Sequence, residues 1–112
     1  MRTFKINVKG RVQGVGFRVN TKKFCDKFGL KGFVKNLDDG LVEIVFSGSD
    51  KGLNGFVEWL KSNPGLSRVD NVDVEEIDRG GRRDVMNGFE IRRDGGLFRD
   101  EKKAIGNLLK RI

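Results

Sequence analysis

The chain has no histidine and a single cysteine, Cys25, among its 112 residues. Without imidazole, the commonest metal ligand, the usual general base and every Ser-His or Cys-His pairing are excluded together. One cysteine rules out a disulfide within a single chain. No run approaches the roughly 18 apolar residues that a membrane-spanning helix needs. The N-terminal MRTFKINVKG alternates polar and apolar instead of presenting the apolar block of a signal peptide. These absences lead to the expectation of a cytoplasmic protein that is neither exported nor membrane-bound. Acid is scarce at one end. Residues 1–36 hold ten Lys/Arg and one acid, Asp26, whereas the remainder holds thirteen against fifteen, so +9 faces −2 within a net charge of +7. Such a field attracts an anion, although a solvated basic face that binds nothing in particular gives the same count.

What is present reads as one small domain with a single two-layer core. Phe4, Ile6 and Val8 alternate with Lys5, Asn7, Lys9 and Arg11 in a half-buried first strand. After a glycine loop, Phe17, Thr21, Phe24, Cys25 and Phe28 recur at helical spacing up to Gly29, which suits a left-handed cap. Leu30 to Asn36 reads as a second strand, LDDG as a tight turn, and Val42, Ile44 and Phe46 as the inward side of a third. Ser49 or Asp50 can cap a second helix with the stripe Leu53, Phe56, Val57 and Leu60. Val69 to Ile77 makes a fourth strand, and a short strand around Phe89 to Arg93 follows the basic loop Arg79 to Arg83. Phe4, Phe24, Phe28, Phe46, Phe56, Val57 and Leu60 are expected in the core, with Trp59 at its margin.

This order, β-α-β-β-α-β with an extra strand, is the ferredoxin-like plan of the α+β class: an antiparallel sheet with two helices on one face. The domain is expected over residues 1–95, with a C-terminal extension over 96–112. In that extension Leu97, Phe98, Ile105, Leu108, Leu109 and Ile112 suit one side of an amphipathic helix, with the open sheet face as a dock, a frayed tail as the next reading and a partner-binding or membrane-surface helix as the last.

In a β-α-β unit the first two strands run parallel, so the loop leaving the first and the end of the second emerge at one sheet edge. Arg18 and Asn36 are therefore expected to meet. Gly14 and Gly16 allow the amides from Gln13 to Arg18, through Val15 and Phe17, to curl into a ring of donors at a helix N-terminus. Arg18 adds a guanidinium fork able to grip two oxygens of one anion. GVGFR alone is equally a turn with glycines for geometry and a surface arginine. The segment lacks the Gly-Lys-Ser/Thr of a P-loop, and Val19 stands where a dinucleotide motif needs its third glycine. Asn36 cannot accept a proton near neutral pH, but its carboxamide can hold a water.

VKGRVQGVGFR, Val8 to Arg18, and GFVKNLDDGLVEIVFSG, Gly32 to Gly48, resemble the two signatures of the acylphosphatases. The likeness runs from about Phe4 to about Arg93, whereas RGGRRDVMNG and the tail from Leu97 follow no pattern of that family, and Cys25 stands where relatives often carry alanine. The resemblance implies a monomeric hydrolase of carboxyl-phosphate anhydrides that needs neither metal nor cofactor. By it, Arg18 is the catalytic phosphate-binding arginine, Asn36 the water-orienting residue, and Gln13, Gly14, Val15, Gly16 and Phe17 the phosphate cradle. Substrate and product would be a small acyl phosphate and inorganic phosphate.

Two rivals share the fold. One is a non-catalytic domain that binds acyl or carbamoyl phosphate, similar to the acylphosphatase-like domain of hydrogenase-maturation proteins. A chain that ends shortly after the domain leads to the expectation of an independent enzyme instead. The other rival is an RNA-binding module, which needs aromatics on the open face of its sheet. KGFV lies on the second strand and not the third, and the outward positions of strands one and three are Lys5, Asn7, Lys9, Leu41, Glu43 and Val45. No nucleic-acid partner is expected.

Overall fold

A computed structural model describes residues 2–77 and 87–92. Its elements follow the order β1 (Arg2–Arg11), α1 (Phe17–Lys27), β2 (Lys31–Asn36), β3 (Val42–Gly48), α2 (Asp50–Lys61), β4 (Arg68–Ile77) and β5 (Phe89–Ile91). The five strands form one sheet in the order β4-β1-β3-β2-β5. The four strands from β4 to β2 pair antiparallel, whereas β5 adds a parallel partner to β2 at the edge. The ferredoxin-like core is thus as expected, and the extra strand makes the sheet mixed. The loop Arg79–Arg83, Arg93 and the extension over 96–112 lie outside the described residues.

Alternation decides which face is buried. Phe4, Ile6 and Val8 of β1, Val34 of β2, and Val42, Ile44 and Phe46 of β3 form one cluster with Phe17 and Cys25 of α1 and Phe56 and Leu60 of α2. Both helices therefore cover the same side of the sheet. A run of rings, Phe46 to Phe56 at 5.4 Å and Phe24 to Trp59 at 4.6 Å, fills the join between sheet and helices. Stacked and tilted ring pairs of this kind add roughly 0.5–1.5 kcal/mol per pair beyond area burial. Ser49 is the cap of α2, its Oγ accepting from the Gly52 amide at 3.0 Å.

α1 ends where Gly29 permits it. At φ +67° its amide donates to the Asp26 carbonyl, and the Leu30 amide donates to the Cys25 carbonyl at 2.8 Å, the paired bonds of a Schellman motif. This ending corrects one expectation about the core. Phe28 continues the helical stripe in sequence but is 57% exposed, because the helix stops at Lys27 and the capping turn swings it outward onto Phe24 and under Lys27. Val57 is half-buried, as is Trp59 at the core margin.

Candidate active site

β1 and β2 both pair antiparallel with β3, so they run parallel and end at the same sheet edge. Val42 stands opposite Val8 on one side and Asn36 on the other. Residues opposite one another in a ladder share a face. The Asn36 side chain thus points to the helix side of the sheet, at the end where α1 begins. Asn36 is only 8% exposed, and its Oδ1 is buried with no hydrogen-bond partner among the described residues. A carbonyl oxygen buried without a donor costs about 1–3 kcal/mol, so this position is held against a local stability gradient.

The loop between β1 and α1 starts at Val12, which is locked in the core. Gly14 and Gly16 then take left-handed backbone, φ +75° and +74°, and Gly16 serves as the N-cap of α1. A Cβ at either would meet nothing within 4 Å. The glycines are there for the bend and for open space above it, not to relieve crowding. No side chain caps α1 and no acid occupies its first turn. The helical ladder begins with the Asn20 amide on the Gly16 carbonyl at 3.0 Å. The N–H groups of a helix's first turn precede its ladder and carry its positive end. With no carboxylate in that first turn to compete, the end suits an external anion.

Each predicted residue takes a definite place. Gln13, Gly14, Val15 and Gly16 form the loop, and Val15 also packs on the core. Phe17 opens α1 with its ring buried, so its amide alone is available to a ligand. Arg18, half-buried, follows in the first turn. One turn on, Lys22 Nζ donates to the Phe89 carbonyl at 2.9 Å and pairs with Asp26 at 2.8 Å, fixing α1 against β5. Gln13 contributes something the sequence did not reveal: its Nε2 donates to the carbonyls of Leu37 and Leu41, both at 2.9 Å. The glycine loop is thereby fastened to the turn that leaves Asn36.

Cys25 is enclosed in the core, and burial, with the nearby Asp26 charge second, pushes its thiol up beyond any thiolate role near neutral pH. Among the described residues no three His, Cys, Asp or Glu side chains gather as a metal site.

A βαββαβ sandwich with both helices on one face of its sheet is a ferredoxin-like member of the α+β class. Comparison with known proteins narrows this. The acylphosphatase family model matches residues 4–91. The acylphosphatase of Photobacterium profundum is 46% identical over 88 residues, covering 79% of this chain and 93% of that protein. The Thiobacillus denitrificans acylphosphatase is 37% identical over 94 residues, 84% of this chain and all of that protein. Among solved structures, the Bacillus subtilis acylphosphatase superimposes with a TM-score of 0.73 at 40% identity, covering 82% of this chain and 99% of that one. Full-length HypF, solved in a phosphate- and nucleotide-bound form, matches with a TM-score of 0.69 at 35% identity, covering 85% of this chain but 12% of that chain. The chain belongs to the acylphosphatase family of hydrolases.

Proposed function

We propose that this chain hydrolyses carboxyl-phosphate anhydrides, with Arg18 and the amides from Gln13 to Phe17 binding the phosphoryl group and Asn36 orienting the attacking water. The observation that carries the reading is the buried, unpartnered Oδ1 of Asn36, facing the helix layer at the edge where the glycine loop turns. Rotation of that carboxamide toward the loop would let a water supply the missing hydrogen bond beside the anion seat.

The chemistry asks little of the protein. Water oxygen attacks phosphorus while the bond from phosphorus to the acyl oxygen breaks, and its electron pair leaves on a carboxylate that is stable unprotonated. The proton lost by water goes to a phosphoryl oxygen, giving inorganic phosphate. No general acid is required, and positioning with electrostatic stabilisation supplies the rate. Arg18 neutralises charge spreading over the phosphoryl oxygens, as the loop amides do from the other side.

Hydrolysis of benzoyl phosphate tests the assignment. Arg18→Ala should lose about 10³-fold or more in kcat/KM together with competitive inhibition by phosphate, as loss of a charged phosphoryl clamp does. Asn36→Ala should lose about 10²-fold in kcat while phosphate inhibits as before. Unchanged turnover in Arg18→Ala ends the reading.

The remaining surface favours a small-molecule partner. Phe33 is the aromatic that the open face carries among the described residues, and it is only 8% exposed, with the Arg92 guanidinium 3.9 Å from its ring centre. Such a ring offers no base a free stacking surface. Asp70, Asp73, Glu75 and Glu76 charge the edge strand β4 and oppose edge-to-edge pairing, which supports a monomer. One buried, reduced cysteine suits the cytoplasm.

A further inference from the structure

The geometry points to Gln13 as a positioning residue for hydrolysis, whose side chain couples the phosphate cradle to Asn36. This rests on the roles proposed for the cradle and for Asn36. The Gln13 carboxamide nitrogen carries two hydrogens, and two carbonyls accept them: Leu37 and Leu41, each at 2.9 Å. Because both neighbours are acceptors, only the orientation with nitrogen toward them is satisfied. These carbonyls are the two ends of the β2–β3 turn. That turn is already closed by the Leu37 amide on the Leu41 carbonyl at 2.8 Å and the Gly40 amide on the Leu37 carbonyl at 3.2 Å. The carboxamide therefore seizes a rigid object rather than a loose loop. At one end of this clamp stands Gln13, which opens the cradle, and at the other Leu37, the residue that follows Asn36 in the chain. Displacement of a reacting group by about 1 Å can cost 10²-fold in rate, so a brace between the two halves of the site bears on turnover and not merely on folding.

The test uses Gln13→Met, which keeps the chain length and removes both donors, in a double-mutant cycle with Asn36→Ala. Gln13→Met should lower kcat on benzoyl phosphate about 10- to 100-fold. It should leave phosphate inhibition nearly unchanged, and shift the backbone amide resonances of Asn36 and Leu37. In the Asn36→Ala background the same change should cost about twofold at most in kcat, within the scatter of uncoupled sites. If the two losses multiply, or if the amide resonances stay in place, Gln13 does not act through Asn36 and the inference fails while the role of Asn36 stands. If Asn36→Ala alone leaves kcat intact, the water-orienting reading fails first, and the resonances report on the clamp separately. Should Gln13→Met not fold, Gln13→Glu gives a second readout. A carboxylate has no hydrogen for the two carbonyls, whereas the protonated acid has one, so kcat relative to the unsubstituted enzyme should rise as pH falls. A flat ratio would overturn the coupling.

Discussion

Gly16 and Gly29 bracket α1 in the same left-handed backbone, φ +74° and +67°, and neither has a neighbour within 4 Å of where a Cβ would stand. Alanine at either should therefore cost only the backbone term, about 1 kcal/mol, visible as matched losses in urea unfolding. Their surroundings differ, since Gly16 shapes the amides at the head of the helix and Gly29 closes its tail. Gly16→Ala should raise both KM and the phosphate inhibition constant, and Gly29→Ala should change neither. Equal kinetics in the two variants would show that the shape of the loop does not govern substrate binding. Single residues also mark what the sequence could and could not reveal. The left-handed turn at Gly14 and Gly16, the start of α1 at Phe17 and the end of β2 at Asn36 were legible because each sits in a local pattern whose physics is local: a tight turn, a helix start, a strand end. The bracing role of Gln13 was not, since its partners lie 24 and 28 residues away and are backbone carbonyls that carry no side-chain signature. Phe28 was misplaced for the opposite reason. Helical periodicity puts it inward, but the capping turn intervenes one residue too early.

Between elements, Arg2 at the start of β1 ties the end of the sheet far from the glycine loop to β4 and α2. Its guanidinium grips Glu76 of β4 through Nε and a terminal nitrogen, at 3.0 and 2.8 Å, and also pairs with Asp50 at the start of α2. Hydrogen bonding from Arg2, ahead of simple charge attraction, holds the Glu76 carboxyl below its ordinary value of 4.5. A carboxyl depressed in the folded state stabilises it above the unfolded value, and that support is lost as pH falls through the folded value. All three groups are substantially exposed, so solvent screens the effect. Arg2→Ala should lower the urea midpoint at pH 7 and shift it much less at pH 3 or in 1 M salt, with kcat untouched. A difference from the unsubstituted chain that persists undiminished at pH 3 would assign the loss to packing of Arg2 over Phe4 instead. At this scale the sequence was most informative for β1 and β3, where every second residue declares its face. It was least informative for β5, whose three residues are too few to show a period and whose parallel pairing depends on a partner more than 50 residues earlier.

Over the whole molecule, charge and topology coincide. The segment that holds ten Lys/Arg against one acid is residues 1–36, the same span that supplies β1, the glycine loop, α1 and β2, and so every proposed site residue. β4 lies beside β1, and its acids Asp73, Glu75 and Glu76 stand opposite Asn7, Lys5 and Phe4, toward the end of β1 away from the glycine loop. A doubly charged acyl phosphate would therefore meet a net positive charge along the span that holds the proposed site, which raises encounter without adding a contact. Such steering depends on the Debye length, about 30 Å at 0.01 M salt and about 3 Å at 1 M. Raising sodium chloride across that range should increase KM several-fold and leave kcat within about twofold, because a phosphoryl group bound at the proposed site would contact partly buried groups that salt screens far less. Lys23 and Lys27 are exposed on α1 and belong to the field but not to the proposed site. Replacing both with glutamine should lower kcat/KM at 0.01 M salt and converge on the unsubstituted enzyme at 1 M. A KM indifferent to salt, or a double variant that differs equally at both ends of the range, would mean that binding is decided by the cradle alone and that the polarity of the chain serves something other than substrate capture.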